Sequence, residues 1–202
     1  MSEGRTCVVT GASRGIGRGI AERFGRDGFD VVVNYRSSAE EAEAAVEAVE
    51  AAGGSAVAVR ADVTDREAVD AMVERTHEAF GPADVLVNNA GINVDTRFEN
   101  MSREEWDRVM DVNLGGVFNC TQAFFGDIRD AEDGRLINIS SIIGKQGNFG
   151  QANYATAKSG LFGFTRSLAL ELADHGSTAN CVAPGYTETE MVMQVREDIR
   201  ER

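Results

Sequence analysis

Apolar residues follow two alternating rhythms along this chain. Short, nearly continuous apolar runs are each followed by a longer stretch in which apolar positions return every three or four residues. The runs are "TCVVTG" (6–11), "DVVVNY" (30–35), "SAVAVRADV" (55–63), "ADVLVNNAG" (83–91), "GRLINISS" (134–141) and "STANCVAPG" (177–185). They read as strands. Between them lie "RGIGRGIAERFGRDG" (14–28), "SAEEAEAAVEAVEAAGG" (38–54), "DREAVDAMVERTHEAFG" (65–81), "SREEWDRVMDVNLGGVFNCTQAFFGDIRDAE" (102–132) and "QANYATAKSGLFGFTRSLALELADHG" (151–176). These have helical period, and several end on glycine, a common helix stop. The fourth is predicted to be one long or broken helix, opened by a Ser102 cap with Glu105 three residues on. The tail "TETEMVMQVREDIRER" (187–202) also has a helical pattern.

Strands that are apolar throughout must be covered on both faces, and strand–helix alternation sets successive strands parallel. The expected fold is α/β, a doubly wound parallel sheet forming one domain over residues 1–202. No linker, repeat or low-complexity segment interrupts it. No run of 18 apolar residues predicts a transmembrane helix. The start, "MSEGRTCVVTG", lacks the basic and apolar regions of a secretion signal and reads as cytoplasmic. Cys7, Cys120 and Cys181 lie in apolar contexts without CxxC spacing, as buried small residues of a reducing compartment do. No metal site is expected.

Charge changes the picture of partners. The net charge is −13, with 33 acidic residues. It argues against nucleic acid and against anionic membranes. Of the 20 basic residues only Lys145 and Lys158 are lysines. An acidic excess with little lysine fits a high-salt cytoplasm; an ordinary acidic protein that favours arginine is the plainer alternative.

"TGASRGIG" places Gly11, Gly15 and Gly17 between the first strand and the first helix. That spacing turns the chain tightly and clears side chains where backbone must approach a pyrophosphate. The helix start then offers free N–H groups and a positive dipole end. By itself such a loop is only a tight turn; at the first crossover of this series it marks a Rossmann-type dinucleotide site built from Gly11, Ser13, Arg14, Gly15, Ile16 and Gly17. A NAD site usually carries an acid at the end of the second strand. Here that end reads Asn34-Tyr35-Arg36-Ser37. Arg36 and Arg14 suit a 2′-phosphate through bidentate contacts, so NADP(H) is the expected cofactor. As surface arginines in an acidic chain they would instead pair with carboxylates.

Tyr154 and Lys158 are four residues apart on a predicted helix and share one face. An ammonium beside a phenol favours the phenolate and lowers its pKa, so the tyrosine could exchange a proton near neutral pH. Ser141 ends the strand before this helix, at the carboxyl-end crevice where α/β sheets bind ligands. Taken singly, such residues more often decorate a surface or cap a turn. Taken together, "TGASRGIG", "NNAG", "NISS" and "YATAK" resemble the short-chain dehydrogenase/reductase family over essentially the whole chain. The resemblance implies a nicotinamide-dependent carbonyl or hydroxyl oxidoreductase. By it, Tyr154 is the general acid/base, and Lys158 binds the nicotinamide ribose and lowers the tyrosine pKa. Ser141 orients the carbonyl, and Asn113 holds a water linking Lys158 to solvent. Asn89, Ala90 and Gly91 line the cofactor, Asp62 and Val63 its adenine side, and Pro184, Gly185, Thr187 and Thr189 its carboxamide. The lysine at 158 is then an exception with a reason: a compact ammonium fits under a ribose where a guanidinium fork does not. Lys145, between Ser141 and Tyr154, is placed near the substrate entrance.

Within the family, "GKQGNFGQANYATAKSG" and "PGYTETEMV" resemble 3-oxoacyl-thioester reductases. Two branches compete: acetoacetyl-CoA reduction for polyhydroxyalkanoate synthesis, and reduction of 3-oxoacyl groups on acyl carrier protein. The resemblance leans to the first, with Asp95, Phe149, Gln151 and Tyr186 at the acyl-CoA beside Ser141 and Tyr154. In the second branch two arginines flank the site and dock the acidic carrier; those positions are Glu132 and His175 here. Relatives run about 40 residues further, through a substrate-covering helix and a seventh strand that pairs subunits into tetramers. This sequence stops at Arg202: either it is incomplete or the protein lacks that strand, and in the second case the sixth is an exposed edge and the tetramer is in question. Met191 and Met193 suit a mobile apolar lid. A non-catalytic NADP-binding sensor is the alternative from another class, set against retention of all four catalytic-type residues; a scaffold is a third.

Overall fold

The structure, a computed structural model, describes residues 4–187. They form one parallel sheet of six strands in the order β3-β2-β1-β4-β5-β6. The strands are β1 (Thr6–Val9), β2 (Asp30–Tyr35), β3 (Ser55–Arg60), β4 (Val85–Asn88), β5 (Arg135–Ile139) and β6 (Thr178–Val182). Helices cross between them: α1 (Gly15–Arg26), α2 (Ala39–Ala51), α3 (Arg66–Phe80), α4 (Arg103–Met110), α5 (Gly116–Asp130), the single turn α6 (Ile143–Gln146) and α7 (Ala152–Leu172). The tail from residue 188, with its expected helix, Thr189, Met191 and Met193, lies outside the described residues. Among the described residues β6 is an edge strand.

The near-continuous apolar strands are explained by what covers them. Alternate side chains enter two separate cores. Val8, Val32, Leu86 and Leu136 pack with Met72 of α3 and Cys120, Phe124 and Ile128 of α5. Cys7, Val9, Val31, Val33, Val85 and Val87 pack with Ala21 of α1 and Ala42, Ala45 and Val49 of α2. With both faces buried, neither can be polar. The order reverses between β1 and β4, so their carboxyl ends open a crevice at the switch point.

The stretch 102–132 takes the broken form of the expected helix, two α-helices joined by a π turn, Asp111–Gly115. The expected Ser102–Glu105 capping box is present: the Ser102 hydroxyl accepts from the Glu105 N–H at 3.1 Å and Glu105 accepts from the Ser102 N–H at 2.8 Å. α6 follows Ser141 where a loop was expected.

Candidate active site

The glycine loop turns at two left-handed residues, Gly11 (φ +62°) and Gly15 (φ +58°). It is clasped by the segment after β4. Thr10 Oγ1 accepts the N–H groups of Asn89 (2.9 Å) and Ala90 (3.0 Å), and Asn89 Nδ2 donates to the carbonyls of Thr10 (2.9 Å) and Gly11 (3.1 Å). A Cβ on Gly17 would lie 2.4 Å from both Asn89 Nδ2 and the Gly11 carbonyl, so only glycine fits. The loop delivers α1 with its first N–H groups uncapped by any side chain and with no acid in its first turn. Such an end accepts an anion. Ser13 is buried within the loop and Ile16 half-buried behind it. This cradle fits a pyrophosphate.

The adenine-side expectation falls at the ends of β2 and β3. Asn34 is turned inward: its Oδ1 accepts the Gly11 N–H at 3.1 Å, and its Nδ2 donates to Val59 and Ala61. It locks loop to sheet and takes no part in ribose recognition. Arg36 is exposed beyond it and lies within electrostatic range of Asp62. Burial pushes the Asp62 carboxyl up, but the Thr64 N–H and hydroxyl, with Arg36, outweigh it and hold it below its usual value. Val63 is buried beside it, packed on Gly116.

On the other side of the switch point Ser141, Tyr154, Lys158 and Asn113 come together. Ser141 follows β5, and its hydroxyl hydrogen-bonds the Tyr154 phenol. Lys158 is 4% exposed; its Nζ donates to the Ile139 carbonyl at 2.8 Å and lies 5.7 Å from the Tyr154 ring centroid. Ser140 Oγ donates to the Lys158 carbonyl at 2.6 Å, tying α7 to the strand end. Asn113 sits wholly buried in the π turn. Its Nδ2 donates to the carbonyls of Ile92 (2.8 Å) and Val109 (2.9 Å), and its Oδ1 accepts the Ile92 N–H at 3.3 Å. Both amide donors are therefore spent on holding the segment after β4 against α4. The π turn is the device that aims Asn113 inward.

Burial dominates the ionisation of both Tyr154 and Lys158. Burial raises the Tyr154 phenol above its ordinary value; Ser141 opposes this and the Asp95 carboxylate adds to it. Burial also pushes the Lys158 ammonium down, to about 8. Burial thus drives both groups toward neutrality.

Asp95 and Gln151 meet at the rim: Gln151 Nε2 donates to Asp95 Oδ1 at 2.7 Å, and Asn148 Nδ2 donates to Gln151 Oε1 at 2.9 Å. Gln151 is the N-cap of α7, one turn before Tyr154. Phe149 is 67% exposed on the adjoining loop. Pro184 holds the strand end through its carbonyl, which accepts the Ile142 N–H at 2.9 Å. Gly185, Tyr186 and Thr187 are exposed after β6. Lys145 lies over the Phe162 ring of α7, at 5.8 Å. Two placements are corrected. Glu132 precedes the start of β5 and His175 precedes the start of β6. Both are thus at the amino ends of the strands, opposite Ser141 and Tyr154, and within this chain they do not flank the site.

Sequence reading missed several buried amides. Asn153 is fully buried and its Nδ2 donates to the Val94 carbonyl at 3.2 Å. Asn88 Nδ2 bridges Thr121 (2.8 Å) and Asn138 (2.9 Å), and Asn138 Nδ2 reaches Thr165 (2.9 Å). An asparagine inside an apolar run was the available signal, since a buried amide must be paired.

The sequence model of the short chain dehydrogenases matches residues 5–200. The chain is 45% identical over 202 residues to the 3-oxoacyl-(acyl-carrier-protein) reductase FabG of Staphylococcus aureus (strain Mu50), covering all of this chain and 82% of that protein. It is 48% identical over 187 residues to the 3-oxoacyl-(acyl-carrier-protein) reductase of a Synechocystis species, covering 93% of this chain and 76% of that one. A crystal structure of a putative short-chain alcohol dehydrogenase from Sinorhizobium meliloti 1021 superposes with a TM-score of 0.90 at 38% identity, over 98% of this chain and 78% of the other. With a family match across nearly the whole chain, and a Ser–Tyr–Lys–Asn cluster facing a glycine cradle at the switch point, the chain belongs to the short-chain dehydrogenase family of oxidoreductases.

Proposed function

We propose that this protein is an NADPH-dependent reductase of 3-oxoacyl thioesters, acting in the cytoplasm as a homo-oligomer. The observation that carries the reading is the convergence of Ser141, Tyr154, buried Lys158 and buried Asn113 on one side of the switch point, facing the glycine cradle on the other. A phenol protonated at neutral pH and set beside a hydroxyl can donate to a carbonyl oxygen, which is what carbonyl reduction needs. When bound, the reduced nicotinamide supplies hydride to the carbonyl carbon. The hydroxyls of Ser141 and Tyr154 meet the carbonyl oxygen as charge develops there, and Tyr154 gives up its proton to it. Lys158 would hold the nicotinamide ribose and stabilise the phenolate left behind. Asn113 holds the segment after β4 close to Lys158: a Cβ on Gly91 would lie 3.4 Å from Nζ. NADPH over NADH rests on Arg14 and Arg36 and on the lack of an acid after β2.

Acetoacetyl-CoA is the preferred substrate in this reading. Support comes from the resemblance of "NFGQANY" and "PGYTETEMV" to that branch. The alternative, a 3-oxoacyl-(acyl-carrier-protein) reductase, is favoured by the names of the relatives. Exposed Phe118 of α5 and Leu170 of α7 support self-association, as a tetramer by family resemblance. The test follows NADPH absorbance with acetoacetyl-CoA and acetoacetyl-carrier-protein side by side. Wild type should turn over, and Tyr154→Phe should lose on the order of 100-fold or more. NADPH binding without turnover of either thioester would leave a sensor instead.

A further inference from the structure

We propose that Arg97, stacked on Phe149 at the rim of the crevice, binds the phosphate of the pantetheine arm that delivers the thioester. This rests on the thioester reading above and adds to it the group that recognises the arm. The Arg97 guanidinium carbon lies 5.3 Å from the Phe149 ring centroid. Both side chains are exposed, and an apolar ring presented to solvent gives the guanidinium a fixed platform. The platform is itself anchored. The Thr96 N–H donates to the Gly150 carbonyl at 2.9 Å, and Thr96 Oγ1 donates to Glu105 of α4 at 2.9 Å. Gln151 clasps Asp95 at 2.7 Å from the other side.

Arg97 is the sole cation in the two rim segments 92–101 and 147–151 of a strongly acidic chain. Among the described residues its ion pair is with Glu99 at 3.9 Å, between side chains 65% and 72% exposed. Such a pair is worth little and leaves the fork available to a better anion. Phosphate accepts that fork bidentately. Position fits as well. Phe149 is two residues before Gln151, and Gln151 three before Tyr154, so the rim lies within about 12 Å of the Tyr154 backbone, inside the reach of a pantetheine arm. The phosphate ester is common to coenzyme A and to the carrier-protein prosthetic group, so one site serves either source.

The experiment measures KM for acetoacetyl-CoA, acetoacetyl-carrier-protein and the phosphate-free thioester acetoacetyl-N-acetylcysteamine in wild type, Arg97→Gln and Arg97→Lys. In Arg97→Gln the ratio of KM for a phosphorylated carrier to KM for the phosphate-free one should rise about 5- to 20-fold, the loss expected for a charge-assisted contact at an exposed site. Arg97→Lys should recover part of it. A rise with both carriers points to the phosphate next to pantetheine; a rise with coenzyme A alone points to its nucleotide phosphates. An unchanged ratio with both carriers overturns the proposal. Calorimetric binding of 4′-phosphopantetheine against pantetheine provides a readout that needs no turnover. Arg97-dependent preference for the phosphorylated form would uphold the site even if no thioester were reduced, and no such preference would end it.

Discussion

Replacing Gly91 by alanine adds one methyl group at the junction of Asn113 and Lys158. Gly91 does not have a left-handed φ, so alanine meets no backbone penalty there. The cost is contact. The new Cβ would lie 2.6 Å from Asn113 Oδ1 and 3.4 Å from Lys158 Nζ. An ordinary C···O contact is about 3.3 Å, so the amide must retreat by roughly 0.7 Å. It has nowhere to go, because its three hydrogen bonds to Ile92 and Val109 fix it inside the π turn. Overpacking of this kind costs about 1–3 kcal/mol, and losing the weakest bond adds about 1. The sum of about 2–4 kcal/mol lowers Tm by roughly 5–12 °C in a chain of this size. Gly19 in α1 is the control: its Cβ would have nothing within 4 Å, and alanine there should gain about 0.5–1 kcal/mol of helix propensity. Thermal unfolding and kcat are measured on both variants. Gly91→Ala should also lose about tenfold or more in kcat through a displaced Lys158. If both variants shift Tm in the same direction, or if Gly91→Ala stays within about 1 °C of wild type, the contact argument is wrong.

Three further outcomes are expected. Asp95 raises the Tyr154 phenol; Asp95→Asn should therefore move the alkaline fall of the reduction rate to lower pH, and an unmoved limb would dismiss Asp95 as a tuning group. Lys158 is held at about 8 against an ordinary 10.5. Between these values the unfolded chain binds a proton that the folded one has lost, so urea stability should rise with pH from about 8 toward 10, by at most about 3 kcal/mol. Lys158→Met should flatten that rise, and an identical slope in the variant would contradict it. Finally, a net charge of −13 repels itself at low ionic strength. Tm should climb by several degrees between low and molar KCl, and a constant Tm would remove the case for a salt-adapted surface.

The strands and most helices were legible because burial on both faces leaves a sequence no freedom. Val31, Val32 and Val33 must all be apolar, since they alternate between two cores. The glycine loop was legible for a related reason: the approach of Gly17 to Asn89 excludes a side chain. What stayed hidden depends on phase and on partners far along the chain. The π turn inserts one residue into a stretch whose apolar positions keep helical spacing on either side, so periodicity runs straight through it. The inward roles of Asn34 and Asn113 depend on carbonyls at Ala61 and Ile92. Glu132 and His175 neighbour the active-site strands in sequence, yet nearness in sequence does not say which end of a strand a residue occupies. The direction of the Tyr154 shift depended on how deeply its surroundings exclude water, which no motif records.

The pairing of β1 with β4 at the switch point also has a kinetic side. It joins Cys7 to Val85, a separation of 78 residues, with three helical crossovers between them. Parallel pairings of that span form late, because a large loop must close before any contact rewards it. The crevice exists only once this seam has closed. A ligand of the crevice should therefore prolong the life of the folded chain by slowing its unfolding, while leaving the rate at which the chain first folds nearly untouched.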